Sequence, residues 1–193
     1  MVENRSSDVN RRTVLAGVSA GTVAAIAGCL GGDDGDAVDV EPTALDGERP
    51  CDQCGMIVSD HPGPVGQIHF ADDEPEGGRP GQFCSSTCTY RYRFDETADG
   101  REPVVTFLTD YSRVDQEAFE EGADVLFSSH VESEAFARTT ELTVIAGSDV
   151  VGAMGPELIP FSAETDIDAF QETYGGEAID AESVDRSVID GLS

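Results

Sequence analysis

Apolar positions along the chain fall in short runs separated by Gly, Pro and acidic clusters, a pattern of brief strands punctuated by turns. Residues 56–58 and 67–70 read as two strands, with the Pro- and Gly-containing stretch 60–64 as the turn between them. Ser85 or Ser86 is placed to cap a helix over 87–96, where Tyr90 and Phe94 lie one turn apart. Residues 104–108 form a strand, 117–121 a short helical turn and 123–128 another strand. The second half echoes the first. Strands over 142–146 and 158–161 flank a turn at 152–156. Ser162 or Thr165 then caps a helix over 166–174, with Ile167, Phe170 and Tyr174 on one stripe and Gly175-Gly176 as its stop. Strand, strand and helix in that order, twice, predict an α+β class: two small similar ββα-type halves forming one compact domain.

The first residues have a different layout. A polar start carrying Arg11 and Arg12 leads into an uncharged, small-residue run of 16 positions from Thr13 to Gly28. That is short of the roughly 20 apolar residues that a membrane-spanning helix needs. It matches a signal peptide over 1–28, of the twin-arginine kind. Its exit, Ala27-Gly28-Cys29, resembles a lipoprotein processing site with Cys29 as the lipidated residue. Residues 29–49, rich in Gly and Asp, read as a flexible acidic tether. The domain is then expected over 50–177, with an acidic tail at 178–193.

Charge sharpens the setting. The chain has 39 acidic residues against 11 basic ones, a formal net charge of −28, and every basic residue except its three His is Arg. Phosphate backbones and anionic membrane surfaces repel such a chain, so no nucleic-acid partner is expected. Abundant carboxylates with no Lys resemble proteins of organisms living in molar salt, where the Debye length falls to about 3 Å and self-repulsion is screened.

The candidate chemistry is sulfur. Beyond Cys29, four cysteines occur as Cys51-x2-Cys54 and Cys84-x3-Cys88. Two methionines lie beyond the signal, Met56 and Met154, each beside a Gly. Thiolate and thioether together select Cu(I) over hard cations, whereas zinc is well served by thiolates alone. Cys54, Met56 and Met154 form a candidate site with few ligands and an open face, suited to passing an ion on. His61 and His69 are candidate helpers, and Asp52, beside Cys51, can shape the site. Cys51, Cys54, Cys84 and Cys88 admit three readings: a four-cysteine zinc site, one or two disulfides, or thiols that share in binding copper. The 29 residues between the pairs exceed the usual zinc-ribbon interval.

Cys54-Gly55-Met56, followed in order by Met154-Gly155, Pro160-Phe161, Ala169-Phe170 and Tyr174-Gly175-Gly176-Glu177, resembles the NosL family of lipid-anchored copper chaperones, here of a haloarchaeal type. The resemblance covers roughly residues 50–177. It implies a two-part ββα-type fold, a copper-binding domain without catalytic turnover, and delivery of Cu(I) to an exported cuproenzyme, nitrous oxide reductase. It also implies a place on the extracytoplasmic face of the membrane, held by the lipid on Cys29. Carried over, the copper residues are Cys54, Met56 and Met154. The additional Cys51, Cys84 and Cys88 depart from the simplest family pattern and resemble YHS/TRASH metal-binding modules. Two rival functions follow from the residues: a structural zinc module for metal sensing or partner docking, and an exported thiol–disulfide oxidoreductase using Cys51 and Cys54. The second is disfavoured because Gly55 and the β-prone Ile57-Val58 follow the motif where a pKa-lowering helix would start.

Overall fold

In a computed structural model of the chain, residues 40–71 and 75–192 are described. The expected signal peptide with Arg11 and Arg12, the lipid-bearing Cys29 and the Gly/Asp stretch through residue 39 lie outside the described residues. The first half begins with β1 (Gly66–Phe70), β2 (Gly81–Phe83), α1 (Ser86–Ala98) and β3 (Pro103–Thr109). β1 lies between β2 and β3, antiparallel to both. α1 presses onto this sheet so closely that a Cβ at Gly66 would stand 2.2 Å from the Thr89 hydroxyl oxygen, and only Gly fits there. Phe83 and Tyr92 seal the contact with ring centroids 5.0 Å apart. Ser85 caps the helix as expected, its side chain accepting from the Cys88 amide.

Three strands follow: β4 (Ala118–Glu121), β5 (Asp124–Phe127) and β6 (Phe136–Arg138). β6 extends the first sheet at the β3 edge. The second half then supplies β7 (Thr143–Ala146), β8 (Val150–Gly152), β9 (Gly155–Pro156), β10 (Ile159–Phe161), α2 (Glu164–Tyr174), β11 (Glu177–Asp180) and α3 (Arg186–Asp190). β7 is the centre of a second sheet, antiparallel to β10 and β11. The expected pair of similar ββα units is therefore present, with one addition. In each, the strand after the helix returns to pair with the first strand, β3 with β1 and β11 with β7. A third sheet, β4-β5-β8-β9, draws β4 and β5 from the stretch between the two units and β8 and β9 from within the second, between β7 and β10. Asp110 ties the halves together: fully buried, it accepts from the Ser162 amide at 2.9 Å and pairs with Arg113 at 3.0 Å.

Several local expectations change. The helical turn expected at 117–121 is a strand, β4, held by pairing with β5. All four of its residues are exposed, so no alternation of apolar and polar positions betrays it. Residues 56–58 are not a full strand: Ile57 makes a single bridge to Pro50 and a 3-10 turn follows at Val58–Asp60. α2 begins two residues early, with Ala163 and no side-chain cap at its N-terminus. Gly175, at φ 70°, ends it as expected.

The two segments read as tether and tail are structured where they are described. The Leu45 side chain is fully buried and its amide donates to Val131 O at 2.8 Å. The amide of Thr43 donates to the buried Gln67 side chain, whose own amide donates back to Thr43 O. At the other end Ala181, Val184 and Ile189 bury themselves with Tyr90, Leu142 and Leu158, and the Tyr90 hydroxyl donates to Ala181 O. A few apolar residues in an acidic segment suffice when each finds a prepared cavity. Among the described residues no helix is long and apolar enough to cross a membrane.

Leu45→Ala separates a docked strap from a free tether. The substitution is expected to lower stability by about 2–5 kcal/mol, as for other buried leucines, read from urea midpoints in molar salt. A midpoint that does not move would show that residues 40–49 carry no packing energy.

Candidate metal centre

The first pair of cysteines sits on a tight knuckle. The Cys51 amide donates to Met56 O at 2.7 Å and the Gly55 amide to Cys51 O at 2.8 Å, closing the chain back on itself between Cys54 and Met56. Gly55 has φ 80°, the left-handed region that favours glycine, so the Gly of Cys-Gly-Met is required by the turn. Asp52 fastens this knuckle to the sheet. Its carboxylate accepts two bonds from the Arg79 guanidinium, at 2.7 and 2.8 Å, and a third from the Gln82 amide at 2.8 Å. The Asp52 amide donates to Gln82 O in return. Asp52 thus shapes the knuckle that carries Cys51 and Cys54.

The second pair rides on α1. Cys84 follows β2 directly and Cys88 lies in the first helical turn, where the Ser85 cap holds its amide at 2.9 Å. The ends of β2 and α1 and the knuckle then converge. All four sulfurs lie within 4.8 Å of one another, with Cys54 and Cys84 at 3.4 Å and Cys84 and Cys88 at 3.9 Å. A tetrahedral zinc–thiolate centre with bonds of about 2.3 Å has sulfur–sulfur edges of about 3.8 Å, so the cluster has the dimensions of a single-metal site. The described cysteines are free thiols, without a disulfide among them. Cys51, Cys84 and Cys88 are buried in the same core as Leu45, Val58 and Phe83, while Cys54 is exposed.

Proton sharing within the cluster is uneven. Hydrogen bonds from the Cys84 and Cys88 thiols hold Cys51 well below the ordinary thiol value. Their hydrogen bonds to Cys51 push Cys84 far up and Cys88 to about 12, burial adding to both, while the bond between Cys84 and Cys88 raises the first and partly offsets the rise at the second. One thiolate supported by protonated neighbours is the state such a nest favours before a cation arrives.

The other candidate residues are placed as follows. Met56, closing the knuckle, is half-buried against the cysteine core. Met154 stands at the turn between β8 and β9 with 42% of its surface exposed, and its neighbour Ala153 packs on the same cysteine core. His61 ends the 3-10 turn after the knuckle. His69 lies within β1, edge-on to Phe107 at 5.7 Å, and burial lowers its pKa. Neither histidine belongs to the four-sulfur cluster.

One residue close to this centre had no signal in the sequence. Glu157, one acid among 39, is buried with its Oε1 accepting from the Thr87 amide, the Thr87 hydroxyl and the Leu158 amide, each at 2.9 Å. Thr87 lies between Cys84 and Cys88. Burial raises the Glu157 pKa to about 7, against the hydrogen bonds that favour its ionised form.

A family model described as NosL matches residues 42–189. The copper-binding lipoprotein NosL of Stutzerimonas stutzeri is 26% identical over 150 residues, covering 78% of this chain and 69% of that protein. The fold is also similar to the crystal structure of the copper chaperone NosL from Shewanella denitrificans, with a TM-score of 0.59 and 22% identity. That match covers 76% of this chain and 97% of the other.

Two measurements probe the centre. In the reduced, metal-free protein, Cys54 is expected to react with an alkylating reagent while Cys51, Cys84 and Cys88 stay protected until unfolding, as mass spectrometry would show. Comparable rates at all four would contradict the burial pattern. Glu157 binds its proton more tightly folded than unfolded, so its contribution to stability is full below the ordinary carboxylate value of 4.5 and is lost as pH rises through about 7. Relative to Glu157→Gln, the natural chain should lose on the order of 3 kcal/mol between about pH 5 and about pH 8, measured by urea unfolding of both proteins.

Proposed function

The chain belongs to the NosL family, and from that membership we propose that it is a copper metallochaperone that holds Cu(I) at Cys54, Met56 and Met154 and delivers it to an exported cuproenzyme, nitrous oxide reductase. The observation that carries the reading is the exposed thiol of Cys54 at the mouth of a buried sulfur cluster. Transfer of a metal between proteins proceeds by ligand exchange, so an incoming ligand must reach the ion while the outgoing ones still hold it. Cys54 is accessible, and Met154 projects from a hairpin turn whose base rests on the cysteine core. Thiolate and thioether are soft donors and favour the monovalent ion over the divalent cations abundant outside the cell.

Anchoring fits the same role. The S. stutzeri relative is a lipoprotein by name, and Cys29 here follows a signal-like segment. A lipid on Cys29 would keep the domain on the extracytoplasmic face of the membrane, within reach of exported enzymes. The chemistry asked of the chain is binding and release, with no bond of a substrate made or broken.

The dimensions of the four-sulfur cluster favour a second reading, a zinc ion held by Cys51, Cys54, Cys84 and Cys88. Four thiolates at these separations suit Zn(II), and such a centre would staple the knuckle to α1. Zinc and copper then differ in their dependence on Met154, since zinc gains little from a thioether.

Titration of the purified chain with Cu(I) against a competing chelator, without oxygen and in molar salt, tests both. Roughly one tightly held Cu(I) is expected, weakened about tenfold or more by Cys54→Ser and by Met154→Leu. Copper binding indifferent to both substitutions would overturn the chaperone site. Retention of one zinc that is lost in Cys84→Ser but not in Met154→Leu would favour the zinc reading.

A further inference from the structure

We propose that Glu157 is a positioning residue for metal binding, a clamp that fixes the Met154 hairpin onto the first turn of the cysteine-bearing helix α1. The inference rests on Met154 being a copper ligand, as read above.

Cys54 and Met154 lie 100 residues apart, one on the knuckle that hydrogen-bonds to β2 and the other at the turn of the β8-β9 hairpin in a different sheet. Something must set the distance between the knuckle side and the hairpin side to within the reach of one ion. Glu157 is three residues beyond Met154 and leaves the hairpin directly after β9. Its Oε1 reaches the amide and hydroxyl of Thr87, the residue just before Cys88. The bond to Leu158 holds the carboxylate on its own strand at the same time. A single oxygen therefore joins the exit of the methionine hairpin to the turn that carries Cys84 and Cys88.

The entrance of the hairpin is fixed to the same group. A Cβ on Gly152 would stand 3.1 Å from Glu157 Oε2, so the backbone of β8 lies against the carboxylate and only Gly allows that approach without displacement. Gly63, in the loop after the knuckle, comes as close: a Cβ there would meet Gly152 Cα at 3.0 Å. Ala153 packs on the cysteine core. Met154 is thus bracketed on both sides while its own side chain stays exposed.

Folding asks for an acceptor oxygen here but not for a charge. Oε2 has no partner among the described residues, and burying a charged group without a counter-ion is costly when an amide side chain would offer the same oxygen to Thr87 and Leu158. What a carboxylate does well is satisfy amide donors at a helix N-terminus, where the backbone dipole also favours it. Glu157 occupies that position on the one helix that brings thiols to the metal.

The test is a double-mutant cycle in the full chain, with Cu(I) affinity read by chelator competition and the number of sulfur neighbours read by X-ray absorption at the copper edge. Glu157→Ala should weaken Cu(I) binding about 10–100-fold, the usual effect of losing an outer partner of a metal ligand, and should remove one sulfur neighbour. Adding Met154→Leu to it should cost less than about threefold more, because the ligand is already misplaced. Glu157→Gln, which keeps the acceptor oxygen for Thr87 and Leu158, should stay within about threefold of the natural chain. Additive losses, or an unchanged sulfur count in Glu157→Ala, would overturn the clamp while leaving Met154 a ligand. A silent Met154→Leu in the natural chain would overturn the ligand assignment and the clamp with it. Should Glu157→Ala not fold, Glu157→Asp, whose shorter side chain withdraws the oxygen from Thr87, must show the same non-additive pattern with Met154→Leu, and additivity there counts against the clamp.

Discussion

The first turn of α1 begins with amide groups that no preceding residue of the helix can satisfy. Much of the arrangement around the cysteines follows from how those donors are met. Ser85 takes the Cys88 amide and Glu157 takes the Thr87 amide. Each acceptor fixes something else. The Ser85 cap orients the turn that carries Cys84 and Cys88. Glu157 brings in the hairpin of the second half. A constraint that every helix faces is met here by groups that also bring the cysteine cluster and the β8-β9 hairpin together.

Burial is divided within that centre in a way that suits an exchangeable ion. Three thiols sit in an apolar core, where burial disfavours ionisation of Cys84 and Cys88 while their hydrogen bonds to Cys51 favour a single thiolate there. The fourth, Cys54, projects from the knuckle toward solvent. The knuckle owes its shape to backbone bonds closed by Gly55 and to the bidentate Asp52–Arg79 pair. Its geometry therefore does not depend on the metal alone. The chain as a whole carries 39 acidic residues against 11 Arg, a repulsion that added salt would screen.

The two ββα units share a layout without a residue-level repeat. What repeats is the physical requirement: a short hairpin needs a helix to cover one face, and the strand after the helix needs an edge to pair with. The central strands β1 and β7 each pair on both edges, and each carries consecutive buried residues, Gly66 to Ile68 and Val144-Ile145, so both faces are covered there. The third sheet obeys a different rule. β4 has no buried face and exists through its ladder to β5. An acidic stretch such as Ala118–Glu121 has no pattern that would announce a strand, and its pairing is known only once the partner is in place.

Local chemistry alone determined a good deal. The Ser85 cap, the Gly175 stop and the apolar runs of β1, β3, β7 and β10 depend on neighbours within a few residues, so they are legible in the chain itself. So is the choice of sulfur as the donor, since residue types carry their softness wherever they are placed. Tertiary structure decided what depends on distant partners. The docking of Leu45 and Ile189 needed cavities supplied by other elements. The closeness of Cys54 to Cys84 needed the knuckle to close on β2. The role of Glu157 needed a helix N-terminus seventy residues away in sequence. In a chain with 39 acids, one buried carboxylate differs from the rest only in where the fold puts it.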